Sequence, residues 1–136
     1  MKTKNILIAA LSAMIIFSFT SCSKKISFMN SLIVPAAQGS IKVKKDDNKN
    51  YTIEINIRNL ADVDRLVPKK KTYVVWMTSD EDITTNIGQI KSSKKKLSAS
   101  LQTVSASKPN KIFITSEEDG SVQTPSVDII LTTDKF

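Results

Sequence analysis

No histidine occurs anywhere in the 136 residues. That absence removes the side chain that changes charge near neutral pH, the commonest zinc ligand, and the base of every Ser-His-Asp or Cys-His arrangement. Cysteine occurs once, as Cys22, so no disulfide can close within the chain. Glycine occurs three times and no Gly-x-Ser-x-Gly elbow is present, which leaves the many serines without the base or the turn that makes a nucleophile. No basic helix or aromatic-interleaved basic stripe is available to follow a phosphate backbone, so nucleic acid is not an expected partner. The longest apolar stretch, Ile6 to Phe19, would make roughly 21 Å of helix at ~1.5 Å per residue, against a hydrocarbon core of roughly 30 Å. It is too short to span a bilayer comfortably. No catalysis, cofactor or metal is expected from this inventory.

What is present begins with Lys2 and Lys4 ahead of that apolar stretch, followed by small residues, the layout of a cleaved secretory signal. The stretch ends in "FTSC", Phe19 to Cys22, which resembles the lipobox of bacterial lipoproteins. The resemblance implies cleavage before Cys22 and transfer of a diacylglyceryl group to its sulfur. An ordinary secretory leader with an incidental cysteine is the alternative. The uniqueness of Cys22, its place at the end of the apolar stretch and its want of a disulfide partner favour attachment. One acyl chain holds a protein only marginally, whereas two or three hold it stably. Ser23 stands where an aspartate would mark retention at the inner membrane, which resembles the pattern of an outer-membrane lipoprotein facing the periplasm. Loss of residues 1–21 removes Lys2 and Lys4 from 20 basic residues, leaving 18 against 13 acidic, or +5, a mild attraction for anionic headgroups.

The expected organisation is a signal peptide over 1–21, a lipidated tether over 22–38 and a β-sandwich over 39–136, with a first strand also conceivable around Ile26 to Val34. "SIKVKK" and "YTIEINIRN" alternate apolar and polar residues on either side of the turn cluster "DDNKN", which reads as a hairpin. "NLADVDRLVPKKK" breaks the alternation, with Leu60, Val63 and Val67 at the spacing of one helical turn or in an irregular crossing. "TYVVWMT", Thr72 to Thr78, is apolar on both faces and reads as a central strand. "IGQIK", "KKKLSASLQTV", "KIFITSE" and "VDIILTT" supply further short strands between turns, the second of them equally compatible with helical spacing and assigned to β by its neighbours. About seven short strands with turns roughly every dozen residues predict an all-β, antiparallel β-sandwich.

"YVVWMTSDEDITTNIGQIK" followed by "IFITSEEDGSVQTPSVDIIL" resembles the extracytoplasmic C-terminal domain of the anti-sigma-K factor family. The match rests on Tyr73 and Trp76 of a Tyr-x-x-Trp strand, on Gly88, and on Glu117, Gly120, Ser121 and Pro125, within roughly residues 39–133. The resemblance implies an immunoglobulin-like sandwich. Members of that family carry a cytoplasmic sigma-binding domain and a membrane-spanning helix ahead of it. Here a lipoprotein-like leader stands in that place, and a chain exported from the cytoplasm does not meet a sigma factor.

Several residues invite a site. Trp76 reads as a core pin in preference to a stacking platform, and Tyr73, on the opposite face, as a residue packed under a loop. Asp80, Glu81 and Asp82 and the second cluster Glu117, Glu118 and Asp119 could meet at one end of a sandwich to hold calcium or cleave a glycoside; solvated turns are the expected reading. The triplets Lys69–Lys71 and Lys94–Lys96 read as soluble edges, with a headgroup or glycan contact as the sharper alternative. The leading expectation is a lipid-anchored binding or structural module of the cell envelope. Cys22 attaches it to the membrane, and loops 60–71, 79–86 and 118–126 face an envelope protein or ligand. The alternative is an extracytoplasmic domain that modulates a sigma/anti-sigma pathway.

Overall fold

The structure is a computed structural model that describes residues 23–136; the segment 1–21, expected to be a signal peptide, and Cys22 lie outside the described residues. Among the described residues there are eight strands: β1 (Lys24–Ser27), β2 (Gln38–Lys45), β3 (Tyr51–Arg58), β4 (Thr72–Ser79), β5 (Thr84–Ile90), β6 (Ala99–Ser105), β7 (Pro109–Glu117) and β8 (Ile129–Thr132). They form two antiparallel four-stranded sheets, ordered β1-β2-β3-β6 and β5-β4-β7-β8. The expected all-β sandwich is therefore the fold.

The hairpin read from the sequence is the spine of the first sheet. β2 and β3 pair from Gln38↔Arg58 to Lys45↔Tyr51. The Asp46 carboxylate accepts the Asn50 N–H at 2.8 Å, and Lys49 takes the left-handed conformation at φ 66° to close the turn. Period two sends Ile41, Ile53, Ile55 and Ile57 inward. Across from them the second sheet contributes Tyr73, Val75, Met77, Ile112, Ile114 and Leu131, and these residues form the inter-sheet core. Set β1 aside, and the chain visits the two sheets as an immunoglobulin-like sandwich does: β2, β3 and β6 on one side, β4, β7 and β8 on the other, with β5 beside β4.

Two segments differ from expectation. Residues 24–38 are not a tether. β1 pairs with β2 from Lys24↔Val43 to Ser27↔Ser40, Ile26 and Phe28 pack on the core, and Val34 and Ala37 are buried. The Met29 N–H then donates to the Thr132 carbonyl at 2.8 Å, tying this segment to the edge of the second sheet. Four residues with one strong inward position, Ile26, are too few for sequence periodicity to distinguish a strand from a linker. In the crossing from β3 to β4, a 3-10 turn over Val63–Arg65 buries Leu60, Val63 and Leu66, and Val67 is left 98% exposed. The three-residue period of that turn replaces the helical spacing that had grouped Val67 with the buried pair.

Registers fix the two ends of the sandwich. The first end gathers Ser23, the β2–β3 turn, the β4–β5 turn, the β6–β7 turn and the C-terminal residues. The opposite end gathers the connections 28–37, 59–71, 91–98 and 118–128. Seven steps along β4 at ~3.3 Å separate the ends by roughly 23 Å.

Candidate functional site: a strapped sheet face and an apolar rim

β4 is buried along its whole length, and this requires a cover on both faces. Tyr73, Val75 and Met77 face the inter-sheet core, so Val74 and Trp76 face outward from the second sheet, yet both are fully buried. Their cover is the β7–β8 connection, residues 118–128. It leaves the end of β7 and reaches β5, where the Asn86 side-chain amide donates to the Gly120 and Val122 carbonyls at 2.9 Å each. It then returns to β8, and in doing so crosses over β4. A Cβ on Gly120 would stand 1.9 Å from the Gln89 side chain, so glycine permits the strap to lie this close to β5.

A hydrogen-bonded relay fastens the strap from below. The Trp76 indole N–H donates to Thr115 Oγ1 at 2.8 Å, and the Thr115 hydroxyl donates to Glu117 Oε1 at 2.5 Å. The same carboxylate oxygen accepts the Ser126 N–H at 2.9 Å. Phe113 lies stacked beside Trp76 with ring centroids 6.3 Å apart. A buried carboxylate requires such partners. Trp76 is therefore a pin beneath the strap, outside the inter-sheet core, and no face of its ring is open to a ligand. Tyr73, expected under a loop, faces the inter-sheet core and donates its hydroxyl to the Ala61 carbonyl at 2.8 Å. Burial and the nearby Asp62 carboxylate push its phenol up to about 12.

At the far end, three connections each raise one aliphatic side chain into solvent: Leu32 (96% exposed), Val67 (98%) and Val127 (93%). Val67 and Val127 belong to segments joined by the Lys70–Asp128 ion pair at 3.2 Å and by the Lys71 N–H donating to the Glu117 carbonyl. Ile129, Met29 and Ile33 are also exposed and carry the apolar character on to β8 and the β1–β2 connection. This rim takes in Val67 of loop 60–71, whereas Val127 lies just beyond loop 118–126, which forms the strap over the second sheet. Loop 79–86 lies at the other end, and its residues from Thr84 onward belong to β5.

The two acidic clusters are not brought together. Asp80, Glu81 and Asp82 close the β4–β5 turn at the first end, while at the far end Glu117 ends β7, buried rather than in the solvated turn expected of it, and Glu118 and Asp119 begin the strap. A separation of roughly 23 Å is far beyond the ~5–9.5 Å of a glycosidase carboxylate pair. Among the described residues no group of three or more potential ligands is placed to hold a metal ion. Lys135 pairs with Asp82 at 2.8 Å, and its ammonium holds that carboxyl below the usual range. The Ser121 backbone N–H and hydroxyl do the same for Asp119, at 2.8 and 2.9 Å. Both lysine triplets, Lys69–Lys71 and Lys94–Lys96, sit at the far end.

Sequence reasoning singled out loops 60–71 and 118–126 but missed that the second is a strap over β4 and that Leu32, Val67 and Val127 form an exposed rim. One signal was available for the strap: an antiparallel strand apolar on both faces, followed later by an 11-residue connection where a hairpin needs two to five. Comparison with protein-family models, curated proteins and solved structures finds no match for the chain.

Proposed function

We propose that the protein is a non-catalytic binding module of the cell envelope, moored by lipid on Cys22 and engaging an envelope protein through the far rim. On this reading it is an outer-membrane lipoprotein facing the periplasm. The observation that carries it is the placement of Leu32, Val67 and Val127, almost wholly exposed, at the end of the sandwich opposite Ser23. Aliphatic side chains held out by anchored loops are the kind of surface a partner desolvates. The lipobox-like "FTSC" supports the mooring, and the absence of histidine argues against the common catalytic arrangements.

The test is crosslinking in intact cells from a photoreactive residue at position 67 or 127, with position 83 at the opposite end as the reference. A discrete adduct from 67 and 127 that disappears when the other rim residue is changed to aspartate supports the reading. Adducts only from position 83, or none, overturn it. Recovery of a membrane-bound anti-sigma protein in the adduct would instead favour the regulatory role that the resemblance over residues 39–133 implies. Labelled fatty acid should enter the wild type and be lost with Cys22→Ser; retained label in that variant contradicts the mooring.

A further inference from the structure

The geometry points to the outer face of the first sheet as a surface that lies flat on anionic phospholipid headgroups. The proposal rests on the mooring at Cys22, and three observations carry it further.

The first is composition by face. Alternation along β1, β2 and β3 turns Lys25, Lys42, Lys44 and Arg58 outward, all exposed, with Glu54 the one acidic side chain among the described residues of that face. The sum is +3. On the opposite side the strap carries Glu118 and Asp119 exposed, with Glu117 buried and Asp128 paired with Lys70. A face with this excess of positive charge is drawn to an anionic surface. The lysine triplets singled out by the sequence are not part of this face.

The second is reach. β1 begins at Lys24, and Lys25 is three residues beyond Cys22. Three residues extend at most about 10 Å, close to the ~8 Å over which charges remain unscreened at physiological salt. With the tether absorbed into the fold, a lipid on Cys22 leaves the body no room to stand clear of the headgroups.

The third is shape. Where β1 ends, the face opens into a polar groove of about 550 Å³ whose lining includes Lys25, Ser27, Asn30, Gln38, Asn56 and Arg58. A lysine and an arginine among neutral donors suit a phosphodiester headgroup. In this pose the rim of Leu32, Val67 and Val127 faces sideways along the bilayer, so its partner is one that also sits at the membrane surface.

The experiment uses the full-length protein, purified from membranes and reconstituted into vesicles of phosphatidylethanolamine alone or mixed with phosphatidylglycerol. Flotation reports the mooring, and lysine modification by an amine-reactive reagent, read by mass spectrometry, reports the face. The expected result is flotation with both vesicles. Labelling of Lys25, Lys42 and Lys44 should be slowed about fivefold or more only when phosphatidylglycerol is present, the factor that one basic side chain contributes at such a surface. Lys94–Lys96 serve as the internal reference, and added salt should erase the slowing. Flotation with equal labelling in both vesicles overturns the docked face and leaves the mooring intact. Slowing that is the same without phosphatidylglycerol overturns the electrostatic docking. Failure to float on phosphatidylethanolamine overturns the mooring, and slowed labelling on the mixed vesicles would then uphold the face alone. The variant Lys42→Glu/Lys44→Glu, altered only at exposed positions, should float normally and lose the phosphatidylglycerol-dependent slowing at Lys25.

Discussion

Tyr73 and Trp76 stand three residues apart on β4 and point to opposite faces, and each ties its strand to a different loop. The Tyr73 hydroxyl holds the β3–β4 crossing through Ala61. Burial first, and Asp62 second, raise its phenol from 10.0 to about 12. An unfolded tyrosine ionises near 10, so the fold favours the neutral phenol. Its contribution is whole below about pH 10 and drains as pH rises to about 12. Denaturant unfolding followed across that window should therefore show the wild type losing stability more steeply than Tyr73→Phe. Equal slopes would remove the buried phenol as the cause. For Trp76→Ala the expected cost is ~3–5 kcal/mol, because the cavity opens beneath the strap and Thr115 loses the donor to its hydroxyl. A loss below about 1 kcal/mol would show that the indole is not packed as described.

The strap is the element whose stability can be probed apart from the rest. Asn86 alone supplies it with two hydrogen bonds from the far edge of the sheet. Asn86→Ala should cost about 1–2 kcal/mol and speed amide exchange over residues 119–126, with little change in β3 or β7. Uniformly faster exchange would mean that the strap opens only with global unfolding. Elements also mark where the sequence was readable. β2, β3 and β4 were plain because eight residues of period two, or of unbroken apolar character, leave few alternatives. β6 was half readable: its register with β3 settles a segment whose leucines also fit a helix, and Leu97, at φ 48°, belongs to the turn before it. The strap was not readable as an element, since Glu118 to Asp128 is polar turn chemistry, and only the two-sided burial of β4 requires a cover. The rim failed for another reason. Whether Leu66 or Val67 is buried depends on a three-residue turn, and a spacing argument with the wrong period exposes the wrong side chain.

At the scale of the molecule, the absorbed N-terminal segment would decide how a body moored at residue 22, as proposed, sits on its membrane. A flexible linker would let a sandwich of either charge pattern tumble freely above a surface. β1 makes the first described residues part of the sheet instead, so under the proposed mooring the fold's orientation and its stability would depend on the same segment. Deleting residues 24–37 separates the two views. As a tether, the segment could be removed at no cost to stability. As part of the fold, it takes with it buried Val34 and Ala37 and the partly buried Ile26 and Phe28, and it leaves β2 as a bare edge. At ~1.5–3 kcal/mol for a fully buried aliphatic or aromatic side chain, and less for the half-buried pair, the loss is about 4 kcal/mol or more. Whole domains have only ~5–15 kcal/mol to lose, so the deletion should leave a protein that melts at much lower temperature or does not fold. Thermal melting by circular dichroism of the intact and deleted proteins in the same detergent measures the difference. A melting temperature unchanged by the deletion would restore the tether and, with it, the freedom of the basic face to tumble.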